Sequence, residues 1–342
     1  MSDEMHLLAG KPEGLFDILS GDGGKTWAAP QELLADVEVA AIVQAPNGSV
    51  YAGTRGRGLF RARAGLRQWD QVPTPLGLDR VRSLCFAGDT VLAGNEAAAD
   101  EPVGVFEWDG DKHWRPLADM AATCSGSKEW HYPVATEGVH IRHLARDPHQ
   151  PERIYAAIQV GGVGISPDGG ESWYDRRNLD CDVHMIEPHP TRPGVVFAGS
   201  GGGGLYKSVD YGDTWECVSE DCGNFVVQFL IDPNDPDRLY LGTGRGSVPK
   251  WRTDPAGARG EVFRSDDCAE HWHKLAGGLP EQMRSRVNAM AIDRTDPRNV
   301  FFSGGHTKDE ATSGVHYSAD RGETWRSIAA LDEVVSLCCV RT

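Results

Sequence analysis

Apolar residues fall along the chain in short runs bounded by Gly, Pro, Asp and Asn, a pattern that predicts short strands joined by tight turns. Seven of these runs open on an aliphatic residue and repeat an apolar one three places on. The opening positions are Val39, Val81, Ile141, Val183, Val226, Val287 and Val334, and their followers are Ile42, Leu84, Leu144, Ile186, Phe229, Met290 and Leu337. This column predicts strands buried on both faces. A second strand follows, as in Val50-Tyr-Ala-Gly53 and Arg238-Leu-Tyr-Leu-Gly242, with Asp-Pro punctuation at Asp147-Pro148 and Asp232-Pro233.

A turn motif recurs between later strands. It reads Ser20-Gly-Asp22-Gly-Gly24-Lys-Thr26-Trp27 and returns around Asp168, Asp210 and Asp320. A worn copy is Ser265-Asp-Asp267-Cys-Ala269-Glu-His271-Trp272. The Asp carboxylate suits the backbone N–H groups of a tight turn, the Gly a left-handed position, and the Trp a buried slot between sheets. Trp69 and Trp114 mark two further positions where little else of the motif survives. The seven Trp residues 27, 69, 114, 173, 215, 272 and 325 are 42, 45, 59, 42, 57 and 53 residues apart. A four-stranded propeller blade takes about forty residues, so seven motifs predict seven blades.

These motifs resemble the BNR or Asp-box repeat family, which includes sialidases and photosystem II assembly factors. The resemblance implies an all-β fold: a seven-bladed β-propeller of four-stranded antiparallel blades. It also implies that the boxes lie between third and fourth strands, away from an active site, so that Asp22, Asp168, Asp210, Asp267 and Asp320 are structural. The ends of the chain fit. His6-Leu-Leu-Ala-Gly10 reads as a second strand and Val334–Val340 as a first strand. The expectation is one domain over 1–342, closed by pairing of the N- and C-terminal strands, with 333–341 completing the blade of 5–35. Sialidases carry an Arg-Ile-Pro motif near the N-terminus. This sequence lacks it, and Tyr206 and Tyr317 lie beside boxes, so true sialidase activity is not expected.

Acidic residues number 50 against 34 Lys and Arg, giving a net charge of −16, which disfavours nucleic acid and anionic membranes as partners. No apolar run reaches bilayer length and no signal-like start is read, so a cytoplasmic protein with reduced cysteines is expected.

Against this acidic background, basic residues gather beside the inner-strand column. One place before it stand Glu38, Arg80, His140, Asp182, Phe225, Arg286 and Glu333. One place after come Arg82, Arg142, His184 and Asn288, and loops after the second strands add Lys11, Arg55, Arg57, Glu96, Gln159, Arg245 and His306. By family analogy these positions lie at the channel mouth. Guanidinium forks suit carboxylates and phosphates. Arg55, Arg80, Arg82, Arg142, Arg245, Arg286 and Asn288 are therefore candidate contacts for an anionic small molecule or glycan. Asp182, His184, His140, Glu38 and Glu333 are candidate acid–base groups of a hydrolase-like or lyase-like enzyme. Structural ion pairing of the same charges is the alternative. A third alternative is a divalent metal on His140, His184 and His306, although no short ligand spacing supports it. A non-catalytic scaffold that binds a protein partner also remains open; neither it nor the anion reading needs a cofactor. Trp130, Tyr132 and Trp251, on long loops, are expected to stack on a ligand, plug the mouth or make a dimer contact.

Overall fold

The computed structural model describes residues 4–63, 65–88, 90–97, 102–131, 138–176, 178–180, 182–251, 253–281, 283–305 and 313–341. The protein is a seven-bladed β-propeller of four-stranded antiparallel sheets. Its residues group into two compact units, one of 1–42 with 218–342 and the other of 43–217.

The first unit holds three complete sheets. One joins β1 (Met5–Gly10), β2 (Gly14–Ser20) and β3 (Gln31–Ala35) to the last strand of the chain, β28 (Ser336–Arg341). Met5 lies opposite Arg341 and Gly10 opposite Ser336, so the terminal strands pair as the repeat pattern predicts. This last strand begins two residues after Val334. Glu333, just before Val334, takes a left-handed φ of 53°, and Val335 already donates its N–H to the Gly10 carbonyl at 2.9 Å. The other two sheets run β20 (Phe225–Ile231), β21 (Leu239–Gly244), β22 (Glu261–Ser265), β23 (His273–Lys274), and β24 (Arg286–Ile292), β25 (Val300–Gly305), β26 (Gly314–Ser318), β27 (Arg326–Ala329).

The second unit holds β8 (Val81–Ala87) to β11 (Trp114–Pro116), β12 (Ile141–Arg146) to β15 (Tyr174–Arg176), and β16 (Val183–Pro188) to β19 (Glu216–Cys217). It also holds β5 (Val50–Thr54), β6 (Leu59–Ala62) and β7 (Trp69–Val72) of the seventh sheet. The innermost strand of that sheet, β4 (Val39–Gln44), contains the boundary between the units.

Small residues let these sheets stack. Gly53 ends a strand of one blade where a Cβ would lie 2.7 Å from Cγ1 of Val81, the opening residue of the next blade. Val81 is fully buried there, a burial that stabilises by about 1.5–3 kcal/mol. The Asp-Pro corners also have a local cause. Oδ1 of Asp147 accepts from the backbone N–H of His149 and Gln150, and Asp232 does the same for Asn234 and Asp235.

Every recognisable box sits between the third and fourth strands of its sheet. In each, one carboxylate oxygen takes the backbone N–H four residues on and the other takes that residue's side chain. Asp22 accepts from Thr26 N at 2.9 Å and Thr26 Oγ1 at 2.6 Å. The worn copy keeps this geometry, with His271 Nδ1 2.7 Å from Asp267. The preceding Ser hydroxyl accepts from residue 24, 170, 212, 269 or 322 in the respective turns. The box Trp residues then pack on the sheets: Trp27 lies edge-on to Phe301 at 5.7 Å and to Tyr317 at 5.3 Å.

The described cysteines are free thiols. Burial pushes the Cys85 thiol up to about 12, too high to form a reactive thiolate near neutral pH. Among the described residues no helix is long and apolar enough to cross a membrane.

Candidate functional site

Five inner strands share an irregularity that the sequence pattern does not announce. Pairing slips between Val81 and Ser83, Ile141 and His143, Val183 and Met185, Val226 and Phe229, and Val287 and Ala289. The residue left over is Arg82, Arg142, His184 and Asn288 in four of these. A β-bulge breaks the alternation of side chains and re-aims the extra residue. The charged positions after the aliphatic column therefore differ from ordinary strand residues in backbone as well as in chemistry.

In the second unit these side chains form a continuous cluster. Isolated bridges pair Arg55 with Arg80 and Glu96 with His140, setting the end of one blade's second strand beside the start of the next blade's first. The Glu96 side chain is wholly buried between two guanidinium groups. Arg55 grips it with Nε at 2.7 Å from Oε2 and Nη2 at 2.7 Å from Oε1. Arg80 donates once, from Nη1 at 2.9 Å, and keeps 40% of its side chain exposed. Arg55 is thus engaged by the protein, while Arg80 has donors left for a ligand.

Next along the cluster, Gln159 Oε1 accepts from Arg142 Nη1 at 2.5 Å and lies 2.7 Å from His140 Nε2. His140 is buried, and burial, reinforced by the charges of Arg82 and Arg142, holds its pKa well below the usual imidazole range. It is neutral at physiological pH. Beyond Arg142 lie Asp182 and His184, with His184 Nε2 3.2 Å from Asp182 Oδ1. Burial pushes the Asp182 pKa up, but His184 and Arg142 outweigh it, so the net shift is downward and the carboxylate is ionised. A side chain at Gly201 would collide with the Asp182 carboxylate and press on the His184 ring, so this pair requires glycine there.

The result has two layers. Arg80, Arg82, Arg142 and Asp182 are part-exposed, whereas Glu96, His140, Gln159 and His184 are buried behind them. The buried histidines contact this visible layer, His140 through Gln159 and His184 through Asp182. The donor set suits anions: His140 Nε2 faces Gln159, and two arginines beside the ring oppose a dication. His306, the third candidate metal ligand, lies outside the described residues, as does Tyr132.

In the first unit the candidates are placed differently. The Arg286 guanidinium carbon lies 5.1 Å from the Phe225 ring centroid and 5.6 Å from that of Trp251. Trp251 is buried edge-on to Phe225 and donates Nε1 to the Arg245 carbonyl at 2.6 Å. Arg245 pairs with Glu261 at 2.9 Å, and Lys274 pairs with the same carboxylate at 2.7 Å. Asn288 Nδ2 donates to the Val334 carbonyl at 2.5 Å. Glu333 is exposed and Glu38 half-buried. The pairs of Arg245 and Lys274 with Glu261 are of the ion-pair kind weighed as the alternative to ligand binding.

Sequence reasoning pointed to the arginines but not to the bulges, the buried role of Glu96, or Gly201. The run Gly201-Gly-Gly-Gly204 was the available signal for a close approach. Trp130 and Trp251 are both buried in apolar clusters, so neither presents a stacking face.

Comparison with known proteins agrees with the fold. Residues 203–339 match the family model described as Sortilin, neurotensin receptor 3. A xyloglucanase of a Paenibacillus species is 26% identical over 148 residues, 40% of this chain and 13% of that protein. A GH74 enzyme of Niastella koreensis superposes with a TM-score of 0.62 at 17% identity, over 84% of this chain and 44% of that one. A structure titled YCF48 bound to D1 peptide gives 0.60 at 15%, over 92% and 87%. The chain thus spans less than half the length of the first two. It is a β-propeller with sequence similarity to xyloglucanases and structural similarity to GH74 and YCF48 propellers.

Proposed function

We propose that this propeller binds an acidic saccharide at the cluster of the second unit. In this reading Arg80, Arg82 and Arg142 hold its carboxylate and Asp182 accepts from its hydroxyls. The observation that carries the reading is the set of three part-exposed guanidinium groups beside one ionised carboxylate, in a chain of net charge −16. Arginine forks match carboxylates in pairs of parallel hydrogen bonds. A sugar is the class favoured by the xyloglucanase similarity.

Binding is proposed rather than glycoside hydrolysis. Hydrolysis generally takes two carboxyl groups flanking the scissile bond. Here Glu96 is enclosed by Arg55 and Arg80 and cannot reach a substrate, and the Asp180 carboxylate is engaged by the Asp182 backbone N–H at 2.9 Å. A second reading, an acidic peptide on the same arginines, is favoured by the likeness to the peptide-bound YCF48 structure.

Titration calorimetry with trigalacturonate tests the proposal. Arg142→Ala and Arg80→Ala should each weaken binding by about tenfold, the worth of a charge-assisted hydrogen bond. Arg115→Ala, which breaks an exposed ion pair elsewhere in the unit, should leave it unchanged. Equal affinity in all variants would move the site elsewhere. Tighter binding of a tri-aspartate peptide than of the sugar would favour the second reading.

A further inference from the structure

The turn joining β13 (Ile154–Ile158) to β14 (Gly162–Ser166) holds a strained residue beside the cluster. Val160 takes a φ of 49°. A β-branched residue resists this left-handed region, and such strain persists only where surrounding structure over-determines it. The surroundings do so here. His131 donates its backbone N–H to the Val160 carbonyl, and Gly161 donates to Ile158 at 3.0 Å. The buried Trp130 ring stands against Gly161, where a Cβ would lie 3.0 Å from the indole. The segment around Trp130 therefore clamps the turn from outside.

The residue held by this turn is Gln159. Its backbone N–H donates to the His140 carbonyl at 3.3 Å, and its side-chain oxygen meets both Arg142 and His140. Arginine has donors only, so the amide must show its oxygen to Arg142. The same oxygen then faces His140 Nε2 at 2.7 Å, while Nδ1 faces the Gly138 carbonyl at 3.3 Å. The neutral ring has one N–H for these two acceptors, and the shorter contact assigns it to Nε2. One amide thus fixes the direction of a guanidinium and the tautomer of a histidine. The opposite tautomer would satisfy the Gly138 carbonyl but set Nε2 and the amide oxygen, two acceptors, face to face at the closer distance of 2.7 Å.

We propose that Gln159 is the positioning residue that aims Arg142 at the ligand, and that the clamped turn at Val160 holds Gln159 in place. This rests on the acidic-saccharide reading for its functional consequence, but not for its structural one. Gln159 touches no ligand; it acts through Arg142 and His140.

Histidine nitrogen NMR of the intact chain, with and without trigalacturonate, separates the two. In the wild type, His140 should show the Nε2–H tautomer without ligand. Gln159→Ala should abolish that fixed tautomer and weaken trigalacturonate binding about tenfold, matching Arg142→Ala. Gln159→Glu should keep the partner of His140 but neutralise Arg142, so that binding is lost while the tautomer stays. Val160→Gly removes the strain without a polar change. It should broaden the His140 signals and weaken binding severalfold while the melting temperature holds or rises. If His140 shows the Nδ1–H tautomer, or is unmoved by Gln159→Ala, the positioning role is wrong even where the sugar binds. If the tautomer behaves as stated and no variant, wild type included, binds the sugar, the positioning role stands and the saccharide reading falls. Should Gln159→Ala fail to fold, the Gln159→Glu and Val160→Gly outcomes decide the matter alone.

Discussion

Ala269 stands where the other boxes place Gly24, Gly170, Gly212 and Gly322. Those glycines have φ of 89°, 89°, 88° and 85°, and Ala269 is held at 69°. Left-handed backbone costs a residue with a β-carbon about 1–2 kcal/mol, partly offset by the unfolded-state entropy that glycine adds. Ala269→Gly should therefore stabilise the protein by about 0.5–1 kcal/mol, read as a rise in the urea midpoint at constant slope. The carboxylates of the same turns contribute to how the chain meets acid. Hydrogen bonds from Thr26 hold the Asp22 pKa at about 2; burial pushes Asp267 up, but bonds from His271 and Ser265 outweigh it and bring it to about 2. A carboxylate depressed on folding contributes stability above its unfolded pKa of about 3.9, and that contribution is lost as pH falls through the folded value. Thermal stability should thus be level above about pH 5 and decline between about pH 4 and pH 2. A melting curve unchanged across that window would mean the box carboxylates do not support the fold. These residues were legible in the sequence because a tight turn has few chemical solutions. Glu96 and Gln159 were visible only as polar loop residues, since their importance depends on which arginines the fold brings to them: Arg142 of its own blade for Gln159, and Arg80 of its own blade with Arg55 of the neighbouring one for Glu96.

The inner strands show what periodicity can and cannot say. The aliphatic column placed seven strands because burial on both faces demands apolar residues at fixed intervals. It missed the bulges, because an inserted residue shifts register without altering which residues are apolar. Arg82, Arg142 and His184 owe their aim to those bulges. For the two long loops carrying Trp130 and Trp251, the sequence left stacking on a ligand, plugging the mouth and a dimer contact all open. An indole in a polar loop looks available in sequence, whereas each here fills a slot in its own unit's core. The terminal strand, by contrast, is where the sequence pattern put it. Removing residues 336–342 takes away the partner of β1 and the buried Leu337, Cys339 and Val340. At about 1.5–3 kcal/mol for each large apolar side chain, the loss is about 5 kcal/mol, comparable to the whole stability of many domains. The truncated chain is expected to aggregate or to lose its folded circular dichroism. A monomeric, natively melting truncation would show that the strand is dispensable.

For the whole chain, the proposal of one domain over residues 1–342 makes a simple thermal prediction. Calorimetry should show a single transition whose van't Hoff and calorimetric enthalpies agree. Two separated transitions would divide the chain at the boundaries of its two units. At this level too, the charge distribution carries the functional argument. A net charge of −16 repels anions at long range, so an anion can bind only where basic groups are concentrated. Three arginines and an ionised aspartate, braced by a buried glutamate, glutamine and two histidines, are such a place. The decisive measurement is calorimetric titration of the intact chain with trigalacturonate and, in parallel, with the neutral trisaccharide maltotriose. The acidic sugar should bind at least about tenfold more tightly, and raising the salt should weaken it, as expected of charge-assisted contacts. Equal binding of the two sugars, or binding of neither, would contradict the account of this cluster as an acidic-saccharide site.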